Sequence, residues 1–312
     1  MAEPFLRWAG GKRWLAEKLA PLIRSRLSDT GTFYEPFLGS GAMYFAVQPP
    51  SAVLSDINAE LIATFRQVRS AWGPLRARLA VLPSTRREYL RVREWDPDSP
   101  ADRAVRFLFL NRNCWGGLWR ENKKGVFNVP YGGGDRTHRK LVETSLLSDA
   151  HRALGQGAVE LAVGDFANFL GRANNGDVVY CDPTYRKRTR QHFDRYGPTL
   201  FGWEDQERLA TAASAAARRG ALVIVSNASC FGVGKLYPSA LVLQVSRRKG
   251  LGPADGAATR AEYVFILDPL RRWSDWEVAG RVVAKGTVPG RRAIRVARAS
   301  PGASTSQDIR RS

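Results

Sequence analysis

Short runs of apolar and β-branched residues alternate with helical patterns along most of this chain, and this alternation is the strongest constraint on its fold. We predict buried strands at residues 32–36, 52–56, 159–163, 177–181, 221–226 and 263–267. Helical patterns lie between them, most clearly at 59–76 and 204–219. Strands that alternate with helices predict an α/β fold, in which a mostly parallel, Rossmann-like sheet is covered by helices on both faces.

The interval between residues 56 and 159 is too long for a single crossover connection. It contains amphipathic segments and a basic, Gly-rich block of aromatic residues, which together predict an inserted helical domain. We therefore divide the chain into a sheet domain at 1–58 and 158–270, an insertion at 59–157 and a basic C-terminal extension at 271–312. Within this extension we expect an edge strand at 290–299 and disorder at 300–312.

Composition narrows the possible partners and the compartment. Forty-eight Lys and Arg residues against 29 Asp and Glu give a formal net charge of +19, which favours a polyanion, either nucleic acid or an acidic surface. We expect neither a membrane span nor a secretory signal from this sequence. Its cysteines (Cys114, Cys181, Cys230) are widely spaced and its histidines scattered, so we expect a cytoplasmic protein without disulfides or a bound metal.

A Gly-rich turn follows the first predicted strand, at residues 33–41, and Asp56 ends the second strand. Glycines let the backbone approach a ligand closely, and an acid at the end of the second strand suits the hydroxyls of a ribose. The dinucleotide fingerprint needs a further glycine where Tyr44 stands. The pattern thus favours a nucleoside ligand without a pyrophosphate; a tight turn without any ligand is the alternative.

The strand at 177–181 runs directly into Asp182, Pro183, Thr184 and Tyr185. A carboxylate and a fixed backbone carbonyl can accept both N–H bonds of an exocyclic amino group, such as that of adenine, and pull its nitrogen towards tetrahedral geometry. The ring of Tyr185 can hold an extruded base by stacking. An Asp-Pro pair that only terminates a strand is the alternative for this segment alone.

In their order along the chain these segments resemble the Dam family of DNA adenine-N6 methyltransferases, over about residues 5–268. The set comprises the Trp-Ala-Gly-Gly-Lys segment at 8–12, the turn, Asp56, the Gly-Asp-Phe segment at 164–166 and the segment at 182–185. The resemblance implies an S-adenosylmethionine site and makes Asp182, the Pro183 carbonyl and Tyr185 the catalytic set. The cofactor residues that it implies are Trp8, Lys12, Glu35, Phe37, Gly39, Gly41, Asp56, Asp165, Phe166 and Asp182.

The same resemblance makes 59–157 a target-recognition domain. Residues 110–120 resemble the DNA-reading loop of the family, and 127–132 the segment that follows it. Arg112 and Arg120 are suited to bind phosphate or the edge of a guanine, and Trp115 to fill the space left by a flipped base. Asn128 completes the predicted DNA-binding set; an aromatic loop that is only packed is the alternative.

Two positions depart from the family pattern. Thr184 stands where the catalytic tetrapeptide usually has a second proline, which leaves that loop less restricted and puts the rate in doubt. Gly116 stands where the family often has asparagine, so the target sequence of the family is not carried over.

We therefore predict an enzyme that methylates N6 of adenine in double-stranded DNA by flipping the base. The alternatives are a cytosine-N4 methyltransferase, a catalytically silent DNA-binding homologue and an RNA methyltransferase. A monomer associated with the nucleoid is expected, and a cognate restriction endonuclease is the partner that this function suggests.

Overall fold

The computed structural model of the chain describes residues 2–8, 10–122, 125–133, 137–183, 201–228, 232–247, 260–272, 276 and 292–298. The predictions made for Thr184, Tyr185 and residues 300–312 lie outside these described residues.

The strands confirm the predicted α/β class. They are β1 (Phe33–Glu35), β2 (Ser51–Asp56), β3 (Ala158–Val163), β4 (Val178–Cys181), β5 (Leu222–Ala228), β6 (Leu241–Arg247), β7 (Arg260–Leu267) and β8 (Arg292–Arg298). They form one sheet in the order β3-β2-β1-β4-β5-β7-β6-β8. Strands β1 to β5 are mutually parallel, whereas β7, β6 and β8 are added in antiparallel pairings.

The helices cover both faces of this sheet. They are α1 (Arg13–Arg26), α2 (Ala42–Val47), α3 (Ala59–Ala80), α4 (Arg86–Glu94), α5 (Pro100–Asn113), α6 (Arg139–Glu143), α7 (Leu146–Gly155), α8 (Phe166–Leu170) and α9 (Trp203–Arg218). The helices predicted at 59–76 and 204–219 correspond to α3 and α9. Helix α3 begins where the Asn58 side chain accepts a bond from Leu61 N, and it is kinked at Ala71, where φ is −143°.

Strand β4 contributes to two hydrophobic cores, one on each face of the sheet. All its residues are buried. Val178 and Tyr180 belong to a core that includes side chains of α1, α2, α3 and α5, whereas Val179 and Cys181 belong to a second core with α8 and α9. Because successive side chains of a strand point to opposite faces, a strand covered on both sides reads as a continuous apolar run.

The insertion between β2 and β3 contains α3 to α7. Helix α3 packs against β2 and β3 as well as against α5, α6 and α7, so it connects the insertion to the sheet. The division of the chain at residues 58 and 157 stays a prediction.

The prediction of strands from the sequence missed β6, and the structure corrects it. Its sequence is an apolar run that leads directly into a basic segment, and the strand pairs antiparallel with β7, the next strand along the chain. Beyond it, the edge strand expected at 290–299 is confirmed by β8, which pairs with β6.

The order of the parallel strands reverses between β1 and β4. From β1 the chain continues outward to β2 and β3, and from β4 to β5 on the other side. Open α/β sheets bind their ligands at the carboxyl ends of the strands next to such a reversal. Glu35, Asp56, Val163 and Cys181 are the last residues of β1, β2, β3 and β4, so the predicted site residues beside them lie at this edge.

Candidate active site

The Gly-rich turn after β1 is held closed by the end of β2. Gly39 N donates to Asp56 Oδ2 at 3.0 Å, and Gly41 begins α2 with a φ of 68°. Gly39 has a φ of +47°, and a Cβ added to it would lie 2.8 Å from Cδ1 of Trp8. The turn thus needs glycine for its backbone conformation and for its contact with the Trp8 indole.

Asp56 lies at the end of β2 and also accepts a bond from Asn58 N at 3.0 Å, through Oδ1. Burial raises the pKa of this carboxyl above its ordinary value, although the backbone N–H donors oppose the shift. Ile57 and Val163 beside it are 61% and 44% exposed. Carboxylate oxygens therefore adjoin exposed apolar side chains, a combination that suits a nucleoside.

Glu35 is a buried carboxyl at the end of β1, and its Oε2 accepts a bond from Tyr44 N at 2.9 Å. Desolvation is the main cause that raises its pKa to about 8, with smaller contributions from the negative charges of Asp182 and Asp56. A ligand cation placed beside these carboxyls is therefore favoured electrostatically.

Asp182 follows β4 and meets groups from two other parts of the chain. Lys12 Nζ forms an ion pair with its Oδ1 at 3.2 Å, and the Lys12 residue is only 3% exposed. Ser226 Oγ donates to the same oxygen at 2.6 Å. The Asp182 side chain nevertheless keeps 22% of its surface exposed, so this carboxylate is both held in place and open to a ligand.

Asp165 precedes α8 and caps it by accepting a bond from Ala167 N at 2.9 Å through Oδ1. Arg208 Nη2 reaches the same oxygen at 2.9 Å, and its guanidinium lies 5.0 Å from the centre of the Phe166 ring. Phe37 stacks on Phe166 with ring centres 5.3 Å apart. At the carboxyl edge of the sheet, the stacked rings of Phe37 and Phe166 therefore lie next to the Asp165 carboxylate, which is held in place by hydrogen bonds.

Residues 113–122 and 125–132 form the two arms of a hairpin that continues from α5, and we name it the recognition hairpin. Its arms are joined by bonds from Trp115 N to Pro130 O at 2.9 Å and from Asn128 N to Arg120 O at 3.1 Å. The Arg120 side chain is also paired with Asn128, because its Nε donates to Asn128 Oδ1 at 2.8 Å. Trp115 is 61% exposed near the start of the hairpin and is available for contact.

The predicted role of Arg112 needs a correction. Arg112 is only 5% exposed, and its Nη1 donates to Phe5 O at 3.5 Å. It lies at the inner end of α5, where the helical period turns its side chain towards the core rather than towards a groove of DNA. Its place in the sequence, between two asparagines in an aromatic block, gave no sign of this burial.

The structure brings most of the predicted cofactor residues to one edge of the sheet and puts Trp115, Arg120 and Asn128 together on the hairpin. Tyr185 lies outside the described residues. Reasoning from sequence overlooked the roles of Ser226, Arg208 and Asn111. Ser226 and Arg208 bond to the predicted residues Asp182 and Asp165, and Asn111 bonds to Arg7, next to the segment at 8–12. Ser226 ends a predicted strand, which is the one signal that marked its location.

Within the described residues, no three or more His, Cys, Asp or Glu side chains are grouped so that they could hold a metal ion. None of the helices in that part of the chain is long and apolar enough to cross a membrane.

Comparison with known proteins adds independent findings. The sequence profile of the family described as D12 class N6 adenine-specific DNA methyltransferase matches residues 8–251. A type II methyltransferase of Lactococcus lactis subsp. cremoris, M1.LlaDCHI, is 33% identical over 277 residues, which cover 85% of this chain and 95% of the relative. The DNA adenine methylase of Vibrio cholerae is 32% identical, covering 84% of this chain and 95% of the relative. That of Escherichia coli K12 is 31% identical, covering 84% and 94%.

Proposed function

The chain belongs to the family of D12 class N6 adenine-specific DNA methyltransferases, and on this premise we propose that the carboxyl edge of β1, β2 and β4 holds S-adenosylmethionine beside a flipped adenine. The family establishes an enzyme that methylates adenine in DNA. Which residues bind the cofactor, position the target adenine and recognise the DNA is our proposal.

The residues at this edge fit S-adenosylmethionine. Asp56 is positioned by Gly39 N and Asn58 N to accept bonds from the ribose hydroxyls, and Gly39 leaves the backbone open to close approach. The negative charges of Asp56 and Asp182 act on the buried Glu35 carboxyl and equally favour a nearby cation, such as a sulfonium or an ammonium group. Trp8 and Lys12 complete the methionine end, and Asp165 and Phe166 receive the adenine ring.

Bound S-adenosylmethionine supplies an electrophilic methyl group on a positively charged sulfur. The chain positions the acceptor: the Asp182 carboxylate and the Pro183 carbonyl each accept a bond from the N6 amino group of the target base. These bonds localise the nitrogen lone pair and orient it towards the methyl carbon. With the methyl group supplied by the cofactor, Asp182, the Pro183 carbonyl or water would accept the proton that N6 gives up.

We assign DNA contact to the recognition hairpin, with Trp115, Arg120 and Asn128 as its reading residues. Trp115 presents an exposed ring of a size that can replace a flipped base in the stack. The bond between Arg120 and Asn128 orders a planar guanidinium, which can contact the O6 and N7 of a guanine. The net charge of +19 supports binding to the duplex backbone in addition.

One observation carries the proposal: Lys12, from the N-terminal cofactor segment, is ion-paired with Asp182 at 3.2 Å. This pair brings the predicted cofactor segment and the predicted catalytic segment together, although 170 residues separate them in sequence. A DNA-binding homologue without activity has no need for a carboxylate that is both positioned and exposed at this edge.

The test is methylation of a mixed DNA substrate with labelled S-adenosylmethionine, followed by mapping of the modified base. We expect N6-methyladenine from the wild type and none from Asp182→Asn, which keeps the side-chain shape, with cofactor affinity within about tenfold. Methylcytosine in the product would support the cytosine-N4 alternative. Binding of DNA without cofactor turnover by the wild type would support the silent homologue, and activity on RNA alone the third alternative.

A monomer located in the cytoplasm with the nucleoid is part of the same proposal, since DNA is the substrate. A restriction endonuclease partner is suggested by the type II methyltransferase among the relatives. Co-purification of an endonuclease that is blocked by methylation at the mapped site is the measurement for this partner.

A further inference from the structure

Ser226 lies beside Asp182 where β4 ends. Strands β4 and β5 pair in parallel up to Cys181 and Val225; Asp182 directly follows β4, and Ser226 is the next residue of β5. Ser226 is fully buried, and the distance of 2.6 Å from its Oγ to Asp182 Oδ1 is that of a charge-assisted hydrogen bond. A buried hydroxyl on one strand therefore contacts the proposed catalytic carboxylate on its neighbour.

The bond has a defined direction. A serine hydroxyl has one proton to donate, and two acceptors lie near this one: Asp182 Oδ1 at 2.6 Å and Cys181 O at 3.5 Å. The shorter contact is to a carboxylate, so the proton is directed to Asp182. Tyr180 OH donates to Ser226 Oγ at 3.4 Å, which engages the serine as an acceptor. Tyr180, Ser226 and Asp182 thus form a chain of donors that ends on the carboxylate.

Lys12 Nζ and Ser226 Oγ both reach Oδ1 of Asp182, one from the N-terminal segment and the other from within the sheet. Two donors converging on one oxygen restrict rotation of the carboxylate about the Cβ–Cγ bond. Four rotatable bonds separate Cα of Lys12 from its Nζ, whereas one rotatable bond separates Cα of Ser226 from its Oγ, and Ser226 belongs to a strand inside the sheet. Ser226 is therefore the more rigid of the two restraints.

We propose that Ser226 is a positioning residue, which holds the Asp182 carboxylate in the orientation that receives the amino group of the target adenine. The proposal rests on the proposed function, because it requires Asp182 to be the group that contacts the base. Ser226 acts through Asp182. Its hydrogen bonds are to β4 and to Asp182 directly after it, and none is to the Gly-rich turn. Its loss should therefore change the rate of methyl transfer and leave the affinity for S-adenosylmethionine unchanged.

The full chain is tested as four variants: Ser226→Ala, Ser226→Thr, Ser226→Cys and Ser55→Ala. Ser55 is the matched control, since it is also fully buried in the sheet and its Oγ has no hydrogen-bond partner among the described residues. Single-turnover methylation gives the rate constant, calorimetry gives the Kd for S-adenosylmethionine, and thermal unfolding gives the stability.

Ser226→Ala should lower the single-turnover rate constant by about 10- to 100-fold with an unchanged Kd, because a displaced reacting group costs rate rather than affinity. Ser226→Thr keeps the hydroxyl and should restore most of the rate. Ser226→Cys has a weaker donor and should lie between the two, which covers the case in which threonine does not fit. Ser55→Ala should react at the wild-type rate.

Asp182→Asn, measured in parallel, distinguishes a failure of the catalytic role of Asp182 from a failure of the positioning role of Ser226. If it is inactive while Ser226→Ala keeps the wild-type rate, the positioning role is wrong and the catalytic assignment stands. Equal rates in folded Ser226→Ala, Ser226→Cys and Ser226→Thr would also overturn it, since the hydroxyl would then be irrelevant. If Asp182→Asn itself turns over normally, the proposed function fails.

Discussion

The side-chain amide of Asn111 bonds both backbone groups of Arg7. Asn111 Oδ1 accepts from Arg7 N at 2.9 Å, and Nδ2 donates to Arg7 O at 2.7 Å. Arg7 in turn donates from Nη1 to Arg112 O at 3.2 Å. These bonds connect the segment that carries Trp8 to α5, the helix that leads into the recognition hairpin. They physically link the proposed cofactor site with the proposed DNA-reading surface.

We expect Asn111→Leu to weaken this link. The substitution keeps the approximate shape but leaves two backbone groups of Arg7 without their partner, each costing about 1–3 kcal/mol if it stays buried. Chemical unfolding should show the loss of stability, and calorimetry should show weaker binding of S-adenosylmethionine through the displaced Trp8. Asn168→Ala, at an exposed position of α8, is the control. Wild-type stability and affinity in Asn111→Leu would show that the bonds from Asn111 to Arg7 contribute neither to the free energy of unfolding nor to cofactor binding.

Gly39→Ala should weaken cofactor binding. The φ of +47° is unfavourable for alanine, and its Cβ would lie 2.8 Å from Cδ1 of Trp8, so the turn or the indole must move. We expect affinity for S-adenosylmethionine to fall at least about tenfold, or about 1.4 kcal/mol. Gly73→Ala is the matched control: its Cβ meets nothing within 4 Å, and its position within α3 predicts a gain of about 0.5–1 kcal/mol. Normal affinity in Gly39→Ala would remove the turn from the cofactor site.

The buried carboxyl of Glu35 should make stability depend on pH. Its pKa is raised from 4.5 to about 8 in the folded chain, so the folded state keeps a proton that the unfolded state loses. The stabilisation is complete below the unfolded pKa and is lost as the pH rises towards the folded one, by about 1.4 kcal/mol for each unit of difference.

Glu35→Gln stays neutral and should remove this slope from the free energy of unfolding in the cofactor-free protein. Urea unfolding between the two pKa values measures it, with the exposed Glu143→Gln as the control. Parallel pH profiles in the wild type and Glu35→Gln would show that Glu35 is ionised throughout.

Arg120 should determine sequence preference at one base pair. A bidentate contact from a guanidinium to a guanine is worth about 1–3 kcal/mol of discrimination. Methylation of a randomised DNA library by Arg120→Ala should therefore show relaxed preference at one position. Arg87→Ala, at an exposed position of α4, should leave the preference unchanged. A uniform loss of activity on every sequence in Arg120→Ala would make this residue a phosphate anchor instead.

The strands at the centre of the sheet could be predicted because each is an apolar run bounded by turn residues, as β4 and β5 show. Strand β6 was not predicted, because its apolar run continues into Ser246 and Arg247, which belong to the strand through backbone pairing with β7 and β8 rather than through apolar side chains. Among the site residues, Asp56 and Asp182 were marked by their places at the ends of strands. Arg112 was misjudged because a helix of apolar and polar residues does not reveal which arginine faces the core.

The order of the segments, the Gly-rich turn and the acids at the ends of β2 and β4 could be predicted from the sequence, because they depend on local backbone preference and on side-chain type. The contacts of Lys12 and Ser226 with one oxygen of Asp182, and those of Asn111 with Arg7, became evident only in the folded chain. These contacts join residues far apart in the chain. Their geometry is set by the parallel pairing of strands and the packing of α5, which no local pattern specifies.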